Sequence, residues 1–154
     1  MPKEQNASAS SAREALIQSL NEDLAREYQA ILAYVVYSQM LKGAEYMNIA
    51  AELEKHAGEE LEHALTVAKQ IDYLGGTPTV TPKPVVVTKD NKGMLREDLK
   101  NETETIKNYR ARVRQCDDLG EFAMAELIRE ILVQEQEHLI DLATALGVDP
   151  PKIG

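Results

Sequence analysis

Two short segments of this chain place a carboxylate and an imidazole where one helix face can offer both to a metal ion. Glu60-Leu61-Glu62-His63 and Glu135-Gln136-Glu137-His138 each contain Glu-x-x-His, and residues three apart on a helix lie on the same side. A lone Glu-x-x-His is ordinary on a solvated helix and carries little weight. Here each copy follows another glutamate, Glu27 or Glu102, at the same distance of 33 positions. Shifting the chain by 75 positions superposes the two sets. The same shift aligns Glu22-Asp23-Leu24, Glu27, Ile31 and Tyr34 with Glu97-Asp98-Leu99, Glu102, Ile106 and Tyr109, six identities in thirteen positions. An ungapped repeat of this kind predicts two halves related by an approximate two-fold axis, with matched residues meeting around it.

The neighbours of Glu27 and Glu102 state what environment these acids enter. Leu24 and Ile31, and Leu99 and Ile106, stand at three- and four-residue steps from them and belong to the apolar stripe that must face a core. Four carboxylates inside an apolar interior are prohibitive unless neutralised, since each buried ion costs several kcal/mol even after relaxation. Two divalent cations balance the four negative charges, and two neutral imidazoles complete a mixed oxygen and nitrogen shell suited to iron or manganese. The expected metal residues are therefore Glu27, Glu60, His63, Glu102, Glu135 and His138.

Four helices are predicted to position them. Leu16, Leu20, Leu24, Ile31, Tyr34, Val35 and Met40 mark a first helix from about residue 13 to 42. After Gly43 a second runs through Met47, Ala50, Leu53, Ala57, Leu61, Ala64, Ala68 and Ile71 to Gly75-Gly76. Pro78, Pro82, Pro84 and Val85-Val86-Val87 then make 77–92 an extended connection. At about 3.3 Å per residue it reaches on the order of 50 Å, against about 45 Å for the second helix at 1.5 Å per residue, so it can run the whole length of a bundle. Two more helices follow at about 94–117 and 120–146, stopped by Gly147 and Pro150-Pro151. The expected organisation is a flexible tail over 1–12, an all-α antiparallel four-helix bundle over 13–147 with its long crossover between the second and third helices, and a short tail over 148–154.

Composition bounds the remaining possibilities. At 154 residues and 44% apolar content the chain has material for one core. Neither a stretch long enough to span a membrane nor a secretory leader is visible, and the one cysteine, Cys116, suits a reducing compartment, so a cytoplasmic location is expected. A net charge of −9, from 26 acids against 17 bases, repels nucleic-acid phosphates and attracts cations; with only Lys3 and Arg13 as bases near the start, direct DNA binding is not expected.

These segments resemble the ferritin superfamily, and bacterioferritin most closely, from about residue 17 to 146. The resemblance rests on Leu20-Asn21-Glu22-Asp23-Leu24 leading to Glu27, Glu60-Leu61-Glu62-His63-Ala64, Leu95-Arg96-Glu97-Asp98-Leu99 leading to Glu102, and Glu135-Gln136-Glu137-His138. It implies a ferritin-like fold in which Glu60 and Glu135 bridge two iron ions, Glu27 and His63 complete one, and Glu102 and His138 complete the other; manganese or zinc can take the place of iron. It further implies a ferroxidase that oxidises Fe(II) with O2 or H2O2 and stores or detoxifies iron in a homo-oligomer. Bacterioferritin binds haem through a methionine immediately after the first bridging glutamate; Leu61 stands there and offers no donor, so haem is not expected. Only sixteen residues follow His138, which favours a Dps-like shell of 12 subunits over one of 24. Rubrerythrins carry an additional ligand glutamate where this chain has Thr105, but a non-storing rubrerythrin-like oxidase or peroxidase remains an alternative reading. From another class, so does a metal-free helical bundle that binds a partner.

Residues behind the ligands are read less sharply. Tyr34 and Tyr109 each follow a ligand glutamate by seven positions, two helical turns, where a phenol either hydrogen-bonds a carboxylate or simply packs. His56, four positions before Glu60, either binds a third metal, holds a carboxylate or is a satisfied structural histidine. Cys116 reads as inert, Met40, Met47, Met94 and Met124 as packing, and Glu59, Glu62 and Glu137 as surface acids able to guide ferrous iron inward.

Overall fold

A computed structural model describes residues 2–154 as four helices with a short 3-10 turn. Helix α1 spans Pro2–Met40, the 3-10 turn Ala44–Tyr46, α2 Met47–Tyr73, α3 Asn91–Asp118 and α4 Phe122–Leu146. No strand occurs among the described residues. Each hairpin, α1 with α2 and α3 with α4, packs along its length, and the hairpins meet through α1 against α3 and α2 against α4. The ends of the elements follow from local chemistry. The Asp90 carboxylate caps α3 by accepting from the Gly93 N–H at 3.0 Å. Gly147 ends α4 at φ 70°, a left-handed turn that a side chain would strain.

The crossover between α2 and α3 runs the length of the bundle, as its reach requires. It climbs α1 on successive hydrogen bonds: the Thr77 carbonyl and Thr79 N–H meet the Asn21 side chain, the Lys83 N–H meets the Ala25 carbonyl at 3.0 Å, and the Pro84 carbonyl accepts from Gln29. Tyr37 then donates its hydroxyl to the Val86 carbonyl, and Asn91 brackets the end of α1 at Lys42. An extended segment rich in proline leaves carbonyls unpaired, and α1 supplies the donors.

The apolar interior forms two plugs. One contains Leu16, Leu20, Leu24, Val67, Ile71, Met124 and Ile128; the other contains Tyr37, Leu41, Ile49, Leu53, Met94, Leu95 and Leu142. Between them lies the charged middle of the bundle.

Two expectations are corrected. The first helix begins at Pro2 and not near residue 13, so 2–12 continue α1 where a flexible tail was expected. Proline suits the first turn of a helix and the Ala- and Ser-containing stretch after it has no glycine to break one, although no described side chain before Leu16 is buried. Val35, Met47 and Leu61, taken as part of the inward stripes, are at least half exposed, whereas Tyr37 is fully buried. At 100° per residue Val35 is turned well away from Tyr34, and apolarity alone does not reveal that. The segment after α4 is irregular, and the Ile153 carbonyl accepts from Arg110 on α3 at 3.0 Å.

Candidate metal centre

All six residues singled out by the repeat converge between the two apolar plugs, each no more than 3% exposed. Glu27 comes from α1, Glu60 and His63 from α2, Glu102 from α3, and Glu135 and His138 from α4. They form two groups, Glu27 with Glu60, His63 and Glu135, and Glu102 with Glu60, Glu135 and His138. Within each group the donor atoms lie within 4.8 Å of one another, and Glu60 and Glu135 belong to both.

The two halves repeat each other closely. His63 Nδ1 stands 2.9 Å from Glu135, 3.6 Å from Glu60 and 3.7 Å from Glu27. His138 Nδ1 stands 2.9 Å from Glu60, 3.6 Å from Glu135 and 3.8 Å from Glu102. Each imidazole turns Nδ1 inward and Nε2 outward. His63 Nε2 meets Gln134 Oε1, and His138 Nε2 meets Glu59 Oε2 at 3.4 Å. Gln134 and Glu59 are themselves 75 positions apart, a repeat relation between non-identical residues that sequence comparison by identity passes over. An oxygen on the outer nitrogen orients the ring and holds a proton there, so that Nδ1 is the nitrogen that would be offered inward to a metal ion.

The tyrosines cross between halves. Tyr34 on α1 donates to Glu102 on α3 at 2.5 Å, and Tyr109 on α3 donates to Glu27 on α1 at 2.5 Å. Burial, then the adjacent glutamates, push both phenols well above their ordinary range, so they remain donors. Each ties down one carboxylate oxygen and leaves its twin, Glu27 Oε2 or Glu102 Oε2, without a hydrogen-bond partner.

Electrostatically the cluster is unfinished as a protein-only structure. Burial, followed by the charges of Glu135, Glu27 and Glu102, drives the Glu60 carboxyl well above the usual carboxylate range. Burial and Glu135 bring Glu102 up to about 8. Burial and Glu27 act in the same direction on Glu135, but hydrogen bonds from Glu102, His138 and His63 overcome them and hold it below its ordinary value. Burial would lower both histidines, yet their carboxylate neighbours raise them well above the usual imidazole range. The chain alone thus neutralises itself by retaining protons. Glu27 Oε2, Glu60 Oε1, Glu102 Oε2, Glu135 Oε2 and His138 Nδ1 still lack aligned hydrogen bonds, even though His138 Nδ1 is 2.9 Å from Glu60. Buried donor atoms within 4.8 Å of one another and without aligned partners are what a donor set for cations requires. The residues present fit two divalent ions.

Several polar residues around the cluster were not assigned from sequence. Asp23 is buried and takes two bonds from Arg112, at 2.6 and 3.2 Å; burial raises its carboxyl to about 6 against the pull of Arg112. Its repeat partner Asp98 is equally buried, with Oδ2 unpartnered. The identity of the pair in the repeat was the available signal. A cleft of about 260 Å³ opens beside His63 and Gln134 and is lined by Glu62 and Glu130 among others. Of the acids expected to guide iron, Glu62 is on this cleft, Glu59 faces His138, and Glu137 is exposed elsewhere. Leu61 lies half exposed on α2, Cys116 is buried with its thiol raised to about 11 by burial, and Met94 and Met124 are core residues.

Residues 17–150 match the family model for the ferritin-like domain. A bacterioferritin of Desulfovibrio desulfuricans is 33% identical over 125 residues, covering 80% of this chain and 70% of its own length. A bacterioferritin of Brucella melitensis is 29% identical over 134 residues, covering 86% and 83%. Among solved structures, a ferritin-like diiron-carboxylate protein from Bacillus anthracis superposes with a TM-score of 0.85 at 33% identity, covering 88% of this chain and 97% of that one. The four-helix architecture, the buried carboxylate and imidazole cluster and these likenesses agree, and the chain belongs to the ferritin-like family, with bacterioferritins among its relatives.

Proposed function

We propose that this protein is a ferroxidase that binds two ferrous ions inside each subunit and stores or detoxifies the ferric product in a homo-oligomeric shell. The observation that carries the reading is the convergence of four buried carboxylates and two inward Nδ1 atoms, with one oxygen of each carboxylate and His138 Nδ1 left without a hydrogen-bond partner. Glu60 and Glu135, common to both groups, would be shared by the two ions, Glu27 and His63 would hold one, and Glu102 and His138 would hold the other. Iron bound there supplies one electron per ion to O2 or H2O2. The residues do the rest. Gln134 and Glu59 fix the imidazole tautomers, and Tyr34 and Tyr109 hold the terminal carboxylates from the opposite half. The acidic cleft beside His63 draws ferrous ions toward the cluster.

Self-association is supported by apolar side chains left exposed on α1 and the crossover, including Leu32, Val35, Val80 and Val87. A shell of 12 subunits is favoured over 24. No described helix is long and apolar enough to cross a membrane; a cytoplasmic location, no role for haem and no direct DNA binding complete the proposal. Manganese or zinc is expected to occupy the same donors when iron is withheld.

The test combines metal content, native mass and oxidation kinetics. Anaerobic titration is expected to saturate at two ferrous ions per subunit, and O2 or H2O2 should then produce ferric absorbance and a soluble mineral in a large shell. Glu60→Ala and Glu135→Ala should abolish the fast oxidation; unchanged rates would overturn the di-iron assignment. A dimer-sized species that oxidises iron but retains none would replace storage with the non-storing oxidase or peroxidase reading. Absence of metal binding would favour the metal-free bundle.

A further inference from the structure

We propose that Glu52, His56 and Asp141 form a third divalent-metal site, separate from the two-ion cluster but one imidazole away from it. The three donor atoms lie within 4.8 Å of one another. His56 Nε2 is 3.2 Å from Asp141 Oδ2 and 4.0 Å from Glu52 Oε2. Donors around a cation bound at about 2.1 Å stand roughly 3.0–3.4 Å apart in octahedral or tetrahedral arrangement. The histidine–aspartate pair already has that separation. The Glu52 and Asp141 side chains are 48% and 43% exposed, so the glutamate is free to close by the remaining fraction of an ångström. Among the described residues neither carboxylate is paired with a lysine or arginine.

The broken symmetry of the repeat carries the inference further. The positions equivalent to Glu52, His56 and Asp141 in the other half are Leu127, Ile131 and Thr66. Those three residues line the cleft beside His63 together with Glu62 and Glu130, so the three equivalent positions themselves supply neither a carboxylate nor an imidazole. Packing therefore does not require an imidazole at position 56; isoleucine serves at its twin. The histidine is 1% exposed and leaves Nδ1 buried without a partner, a cost that Ile131 does not incur. What the imidazole adds is a nitrogen directed at two carboxylates. A surface pocket of about 230 Å³, lined by Glu52 and Asp141, leaves room for waters to complete the coordination.

The donor set defines the ligand. One imidazole and two carboxylates carry a charge of −2 with neutral histidine, matching a divalent cation, and the mixed nitrogen and oxygen shell suits ferrous, manganous, cobaltous or zinc ions over magnesium or calcium. The His56 ring stacks on the His138 ring with centroids 4.0 Å apart. A cation here is therefore held on the solvent side of the α4 imidazole, at the opposite end of the cluster from the cleft beside His63.

Zinc tests the site without redox chemistry. The full-length protein, stripped with a chelator, is dialysed against micromolar zinc and its metal content measured; crystals are grown from the same sample and the zinc located by anomalous diffraction. The expected result is three ions per chain, one beside His56 Nε2. The variant Glu52→Gln/Asp141→Asn, altered only at half-exposed positions, should hold two ions and bind the third at least about tenfold more weakly. Two ions in both proteins, or no anomalous peak at His56, overturns the third site while leaving the two-ion reading intact. A peak at His56 with an empty central cluster supports the third site and defeats the two-ion reading.

Discussion

Replacing Glu102 by glutamine should stabilise the metal-free protein while weakening its response to metal. The Glu102 carboxyl is fully buried beside Glu135 and is raised from 4.5 to about 8. At about pH 7.5 the folded chain keeps this proton while the unfolded chain has released it, which costs about 4 kcal/mol at 1.36 kcal/mol per pH unit above 4.5. Because the folded-state value is raised, the loss of stability begins as pH rises above 4.5, grows toward 8 and is absent in acid. Glu102→Gln removes the titration yet retains an amide oxygen to accept from Tyr34, so the hydrogen bond at 2.5 Å is preserved in kind. In a chelator, chemical denaturation of the variant at about pH 7.5 should show up to about 4 kcal/mol of added stability, on the order of 10 °C in Tm, and little difference at about pH 4.5. Metal narrows the difference. Two ions at about one hundred times their Kd add about 5 kcal/mol to the wild type, and the variant, lacking a ligand, should gain less. A metal-free variant no more stable than wild type at about pH 7.5, or equally changed at both pH values, would refute the electrostatic account of the cluster.

Three further outcomes are expected. Tyr34→Phe and Tyr109→Phe each leave a buried glutamate oxygen unpaired and should destabilise by about 1–3 kcal/mol, with similar values because each donates to the equivalent glutamate of the opposite half; urea denaturation compares them. Gly76→Ala would place a Cβ 2.5 Å from Ile17 Cγ2 and should cost about 1–3 kcal/mol, partly relieved by Ile17→Ala, which removes that methyl, in a double-mutant cycle. Cys116, buried with its thiol raised to about 11, should resist an aromatic disulfide reagent at about pH 8 in the native state and react at once in denaturant.

Much of this architecture is legible in one dimension because its signals are local or strictly periodic. The 75-position repeat placed Glu27, Glu60, His63, Glu102, Glu135 and His138 in equivalent positions, and helical spacing put each Glu-x-x-His on one face. The proline-rich run declared itself non-helical, and its length required a crossover as long as the helices. Other features depend on which surfaces meet. Periodicity states that residues share a face but not how wide the buried arc is, so Val35 and Leu61 were assigned inward and Tyr37 was passed over. Repetition states that Tyr34 and Tyr109 are equivalent but not that each reaches the other half's glutamate, 68 and 82 positions away. The pairing of His63 with Gln134, of His138 with Glu59, and of His56 with Asp141 likewise joins α2 to α4. Residue types and spacing determined the donor set and the need for neutralising charge; packing of α1 on α3 and α2 on α4 decided which oxygens face which nitrogens, because contacts between helices depend on their rotation about their axes, which no single-helix pattern specifies.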